Sequence, residues 1–219
     1  MGIAVITATL LMTLSMRSKA LVPGRWQNVA EMLYEFIYGI ARENLGDEES
    51  KKYFPFVFTI FMIVLMGNML GLVPYSFTYT SHIIVTGTLA LTVFFLATGI
   101  GLVRHGLHFF SLFLPKGLPW IMAPLIVVIE VISYLSRPLS LSVRLFANMT
   151  AGHTMLKVFA GFSVALFAGF SFAPGLVMSI IPMIINIALY GLEMMIAFIQ
   201  AYVFAVLTCL YLKDAIELH

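Results

Sequence analysis

The chain has 219 residues, of which 61% are hydrophobic and only 10% charged, and its mean hydropathy is +1.03. Soluble domains carry charge on roughly a quarter of their residues, so this composition excludes a water-soluble fold and describes an integral membrane protein. A net charge of +2, scattered along the chain, also excludes nucleic acid as a partner and leaves the lipid bilayer as the expected surroundings.

The apolar runs far exceed the roughly 10 residues of a transmembrane strand and lack strand alternation, so the predicted fold is all-α. We expect one membrane domain over 1–219, with about five hydrophobic helices and a surface amphipathic helix. The first span covers 1–16. Its first basic residue, Arg17, follows the apolar run where a secretory signal needs leading positive charge, so the run reads as a span. It would cover about 24 Å of a core about 30 Å thick, which makes it a short span or the visible part of a longer one.

Charge then rises over 17–53, where Trp26, Val29, Leu33, Phe36, Ile37 and Ile40 fall at helical spacing. This is the pattern of an amphipathic helix on the membrane surface. Upright spans are predicted at 54–73 and 83–103, the first closed by Pro74, with a cytoplasmic loop at 104–119. Nine basic residues (Arg17, Lys19, Arg25, Arg42, Lys51, Lys52, Arg104, Lys116 and Lys213) fall in segments that one topology puts on a single side. The alternate loops carry none. The positive-inside rule therefore predicts an outside N-terminus and a cytoplasmic C-terminus.

The last two segments, 120–171 and 176–212, are too long to stand upright, at about 75 Å and 55 Å as helices. The strong turn signal between them is Ala173-Pro174-Gly175, and Pro138 and Pro182 read as kinks. We therefore predict a steeply tilted, nearly in-plane antiparallel hairpin turning near Phe172. The N-terminal half has no second copy of this pattern, which argues against an inverted-repeat transporter. The lone Cys209 permits no internal disulfide and reads as a packing residue.

Polar residues recur within the hairpin at helical spacing. Glu130, Arg137 and Arg144 repeat every seven residues on one arm, and Asn186, Glu193 and Gln200 do so on the other. His153 lies about 180° around the helix from Arg144. A hairpin centred between 172 and 173 pairs residues whose numbers sum to about 345. That one register sets Arg144 opposite Gln200 or Ala201, and His153 opposite Leu192 or Glu193.

An arginine at the bilayer centre costs roughly 2.5–3.5 kcal/mol on insertion scales, so Arg144 needs a reason to be there. A guanidinium stays protonated in proteins, so Arg144 is a fixed charge that cannot itself carry protons. At 4 Å and an effective dielectric near 20 it would attract a passing carboxylate by about 4 kcal/mol, enough to make a lipid-borne acid release its proton. Glu193 and His153 can gain and lose protons and so can relay them.

Structural readings stand beside these. Arg144 could serve a structural ion pair, though no acid of this chain lies opposite it in the register. Glu193 with His153 could be a structural hydrogen-bonded pair. Gln200, Asn148, Ser140 and Asn186 could simply join helices. Glu130 and Arg137 could be interface residues, and Lys157 could snorkel. Asn68 and His82 carry little weight alone.

The run PLSLSVRLFANMTAGH, from Pro138 to His153, followed by the arm with Glu193 and Gln200, resembles subunit a of the membrane sector of the F-type ATP synthase. So does FMIVLMGNMLGLVP on the second span. The resemblance implies a proton-translocating stator beside a rotor ring of small hairpin subunits, each with a buried carboxylate. Two aqueous half-channels would lead protons to and from that ring. The resemblance also implies peripheral-stalk membrane helices and a soluble catalytic ATPase sector as partners, no catalysis by this chain and no cofactor. Arg144 matches the family's essential arginine, which separates the half-channels. Gln200 matches the glutamine packed beside it, Asn148 the asparagine one turn on, and Glu130 an acidic position of the cytoplasmic path. In part of the family the acid and the histidine of the outer path sit on opposite arms to those here, with the pair kept as chemistry.

The leading expectation is thus a rotary-motor stator in a bacterial inner membrane, the mitochondrial inner membrane being the alternative. The titratable pair favours protons over sodium. No GxxxxGK[ST] loop occurs, so no nucleotide site is expected. The competing classes are a self-contained proton or cation antiporter and a non-conducting assembly scaffold.

Overall fold

The computed structural model describes residues 2–15, 24–73, 78–106, 108–109, 123–170 and 172–216. They form α1 (Gly2–Ser15), α2 (Arg25–Gly71), a short 3-10 turn η1 (Tyr79–Ser81), α3 (Ile83–His105), α4 (Ala123–Gly169) and α5 (Phe172–Ile216). The expected all-α membrane fold is what is found. By length and composition, α2, α3, α4 and α5 can each cross a membrane.

α2 takes in both the predicted surface helix and the predicted second span. The two are separated by Gly46, whose φ of 78° breaks the helical path. Such a backbone conformation suits glycine, and the residues after it, Asp47, Glu48 and Glu49, place negative charge at the start of the second helical stretch, where the helix dipole favours it. Arg42 on the first stretch pairs with Asp47 on the second, across the break. The amphipathic face is split between two environments: Ile37 and Ile40 enter the core, whereas Trp26, Val29 and Phe36 remain exposed. Phe36 is not without company, since its ring lies about 6 Å from those of Phe198 and Tyr202 on α5. The first stretch of α2 is therefore packed on the hairpin as well as amphipathic.

One core joins all five helices. Ala8, Ile37, Val57, Phe61, Val64, Val93, Leu145, Phe204 and Leu212 belong to it. In lipid there is little hydrophobic drive between helices, so close packing of small residues has to supply the adhesion. α5 shows how: Ala197, Ala201, Ala205 and Cys209, four residues apart on one face, are all fully buried. The expected packing role of Cys209 is its observed place in that row. Asn68 of α2 comes close enough to donate a hydrogen bond to the Ala197 carbonyl at 3.4 Å.

α4 and α5 have 47 and 45 residues, hence lengths of about 70 Å, more than twice the apolar thickness of a bilayer. They run antiparallel as predicted, but the turn lies earlier than the sequence signal. α4 ends at Gly169 and α5 has begun by Phe172, so Ala173-Pro174-Gly175 forms the first turn of α5. Proline is well placed there, because the first-turn amides have no helical partner to lose. Gly175 permits a close approach of the two arms, since a Cβ there would stand 2.8 Å from the Phe167 carbonyl oxygen. Pro138 and Pro182 lie inside uninterrupted helices. Arg17, Lys19, Pro74, Lys116 and most of the 104–119 loop fall outside the described residues.

Candidate functional site

Two polar clusters occupy the hairpin and its neighbours. The first joins α4, α5 and the segment before η1. Nδ1 of His153 lies 3.5 Å from Oε1 of Glu193, and the Glu193 side chain is only 3% exposed. Neither carboxyl oxygen of Glu193 has a hydrogen-bond partner. The space for this carboxyl exists because position 152 is glycine: a Cβ there would be 2.6 Å from Oε1. On the other side of the ring, Nε2 of His153 is 2.9 Å from the hydroxyl of Thr78. That hydroxyl also donates to the Gly71 carbonyl at 3.1 Å. The Tyr190 hydroxyl donates to the carbonyl of Leu72, tying α5 to the same end of α2.

The second cluster lies toward the other end of the hairpin. Arg137 donates to Asp214 at 2.5 Å, with the rings of Tyr134 and Tyr211 5.7 Å and 5.9 Å from its guanidinium. Tyr134 and Thr98 of α3 share a hydrogen bond of 2.7 Å. Arg104 pairs with Glu49 at 2.7 Å, and His105 contacts the Ile216 carbonyl at 3.0 Å. These ties draw α2, α3, α4 and α5 together at one charged end.

Arg144 is hydrogen-bonded into neither cluster, though its charge reaches Tyr211 of the second. It is exposed on α4 while its neighbours Leu141, Ser142 and Leu145 face inward. Among the described residues it makes no hydrogen bond or ion pair. Gln200 is almost buried, but the two are not joined by a hydrogen bond. Ala147, one turn on along the same side of α4, is also exposed, as is the adjacent Val143. An unpaired cation on the outward-facing side of a membrane helix is costly in lipid.

The structure thus brings together His153 and Glu193, the pair given by the register of 345, and leaves Arg144 without a partner in the chain. The second-arm stripe faces inward, with Glu193 and Gln200 buried and Asn186 half-buried, its Oδ1 closed off without a partner. Of the first-arm stripe, Glu130 and Arg137 are half-buried and Arg144 exposed; Asn148 is half-buried, and Ser140 and Lys157 are exposed. Arg137 finds its partner in Asp214 and not in Glu130.

Sequence reasoning overlooked Asp214, Thr78 and Gly152. Gly152 was within reach, because the same register pairs it with Glu193. Asp214 was not: the register sets Arg137 against Thr208, and the contact spans the extra distance with a long side chain. Thr78 lies in a connecting segment where periodicity says nothing.

An all-helical membrane bundle with a buried acid–histidine pair and an unpaired outward-facing arginine defines a membrane protein built to handle charge within the bilayer. The family model described as "ATP synthase A chain" matches residues 1–213. The ATP synthase subunit a of Acidiphilium cryptum (strain JF-5) is 54% identical over 219 residues, covering 100% of this chain and 86% of that protein. That of Granulibacter bethesdensis is 56% identical over 209 residues, covering 95% and 82%. That of Rhodospirillum rubrum is 54% identical over 201 residues, covering 92% and 80%. The chain belongs to the ATP synthase subunit a family. It is accordingly a non-catalytic membrane subunit that works in a complex and serves the proton-translocating, stator side of ATP synthesis. Its bacterial relatives and apolar helices point to a bacterial inner membrane.

Proposed function

We propose that Arg144 is the electrostatic barrier between two proton half-channels and that its partner is a carboxylate on a rotor ring of small hairpin subunits. The observation that carries this is the exposed, unpaired Arg144 on the outward side of a membrane helix. A rotor carboxylate arriving protonated through lipid would meet a charge worth about 4 kcal/mol at 4 Å and an effective dielectric near 20. The carboxylate releases its proton there, and the fixed charge repels protons that would otherwise leak directly between the channels.

The outer half-channel runs through His153 and Glu193. Buried polar atoms without protein partners support a hydrated path: both Glu193 oxygens, Asn186 Oδ1, Thr80 Oγ1 and Thr150 Oγ1. Groups of this kind are ordinarily satisfied by water. The inner half-channel starts from the charged end of the bundle, with Glu130 near its mouth. Asn148 and Gln200 line the approach to Arg144, with Ser140, Asn186, Arg137 and Lys157 in supporting places along the two paths. The hairpin lies steeply tilted, the N-terminus outside and the C-terminus in the cytoplasm. Peripheral-stalk helices and the soluble catalytic sector complete the complex.

Cross-linking tests the arrangement. In a Cys209→Ser background, Ala147→Cys sits one turn from Arg144 on the same exposed side. It should form a disulfide with a cysteine placed beside the ring carboxylate in the purified complex. Absence of that link, together with proton transport by this chain without any ring, would favour the antiporter. A scaffold would give no transport defect when Arg144 is replaced.

A further inference from the structure

Thr78 touches two groups with one hydroxyl. Gly71 lies at the last turn of α2, where carbonyls lack a helical amide to receive, and Thr78 donates to it at 3.1 Å. A hydroxyl has one proton to give. With that proton committed to Gly71, the Thr78 oxygen can only accept from the His153 ring 2.9 Å away, so Nε2 carries the N–H. In neutral His153 the other nitrogen, Nδ1, is then a bare lone pair, and it is the nitrogen 3.5 Å from Glu193. The placement of Thr78 is itself built into α2. A Cβ at Gly71 would stand 2.5 Å from its methyl and 2.7 Å from its hydroxyl, so only glycine leaves room for it.

We infer that Thr78 is a positioning residue for proton transfer: it fixes His153 as the Nε2–H tautomer and so presents Nδ1 as the base that exchanges a proton with Glu193. The inference rests on the outer path proposed above. In the transfer, the O–H bond of the Glu193 carboxyl breaks and an Nδ1–H bond forms, leaving a carboxylate beside an imidazolium; the return step reverses both. Nε2–H stays on Thr78 throughout. His153 therefore acts through one nitrogen as the base that takes up and returns the Glu193 proton, and traffic along the path enters and leaves at the Glu193 carboxyl, whose second oxygen has no protein partner.

The test uses the assembled, membrane-reconstituted complex with 15N-labelled histidine, the His153 signals being assigned by difference against His153→Gln. Neutral wild-type His153 should carry its proton on Nε2. Thr78→Val, similar in size but without the hydroxyl, should populate the Nδ1–H form and lower ATP-driven proton pumping at least tenfold. Thr78→Ser should restore both. If Thr78→Val complexes do not assemble, Gly71→Ala, which displaces the same hydroxyl, should give the same tautomer shift. An Nδ1–H tautomer in the wild type, or a wild-type tautomer or wild-type pumping in Thr78→Val, overturns the inference. Normal pumping in both His153→Ala and Glu193→Gln would instead sink the outer path. Dead His153 and Glu193 variants beside a normal Thr78→Val would sink only the role of Thr78.

Discussion

At the scale of single residues, the His153–Glu193 pair depends on an absence as much as on the two groups themselves. Gly152 leaves the volume that the Glu193 carboxyl occupies, its missing Cβ being 2.6 Å from Oε1. Overpacking a filled site costs about 1–3 kcal/mol, and here the strain falls on the titratable group. Gly152→Ala should therefore cut ATP-driven proton pumping about tenfold or more while the complex assembles normally; pumping at the wild-type rate would show that the carboxyl can relocate without consequence. The pairing itself is tested by exchange. Because His153 and Glu193 face each other across the hairpin at 3.5 Å, the double variant His153→Glu with Glu193→His should retain more proton flux than either single change. A double variant no better than the worse single one would mean that the contact does not matter to transport.

At the scale of elements, the hairpin is where sequence and structure met most closely. Spacing alone gave the two polar stripes, and one register gave the His153–Glu193 contact, because a helical period and a turn together determine which faces meet. The turn lies between Gly169 and Phe172, about two residues before the predicted centre, since a proline signal that ends one helix can equally begin the next. The break at Gly46 was not legible, because a glycine within a polar stretch has no pattern that distinguishes a kink from an ordinary helical position. The row of Ala197, Ala201, Ala205 and Cys209 was legible in principle as small residues four apart, yet was hidden among so many other apolar residues. Gly175 is the element-scale test. Its Cβ would press on a backbone carbonyl at 2.8 Å, which cannot rotate away as a side chain can. Gly175→Ala should lower the thermal stability of the complex by about 1–3 kcal/mol, measured as earlier loss of ATP-driven pumping on heating. Unchanged heat resistance would show that the close approach of the arms does not depend on glycine at this position.

For the molecule as a whole, the fold sets two polar regions apart along one hairpin, as the two proposed routes require. Cross-element ties gather around His153 and Thr78 in one region and around Arg137, Asp214, Arg104 and Glu49 in another. Arg144 lies on the outer surface of the same hairpin and is bonded into neither. Most charged members of the site were legible in the sequence, because charge is rare in apolar helices. Thr78, a neutral residue in a connection, and Asp214, outside the hairpin register, could be found only from the folded chain. What the arrangement requires is that the fixed charge and the titrating pair have separable effects. The decisive measurement is ATP-driven proton pumping, with ATP hydrolysis followed in parallel, by the reconstituted complex carrying Arg144→Ala. Pumping should fall below a tenth of the wild-type rate while the complex still assembles; pumping that stays coupled to hydrolysis at the wild-type rate would contradict the barrier role of Arg144.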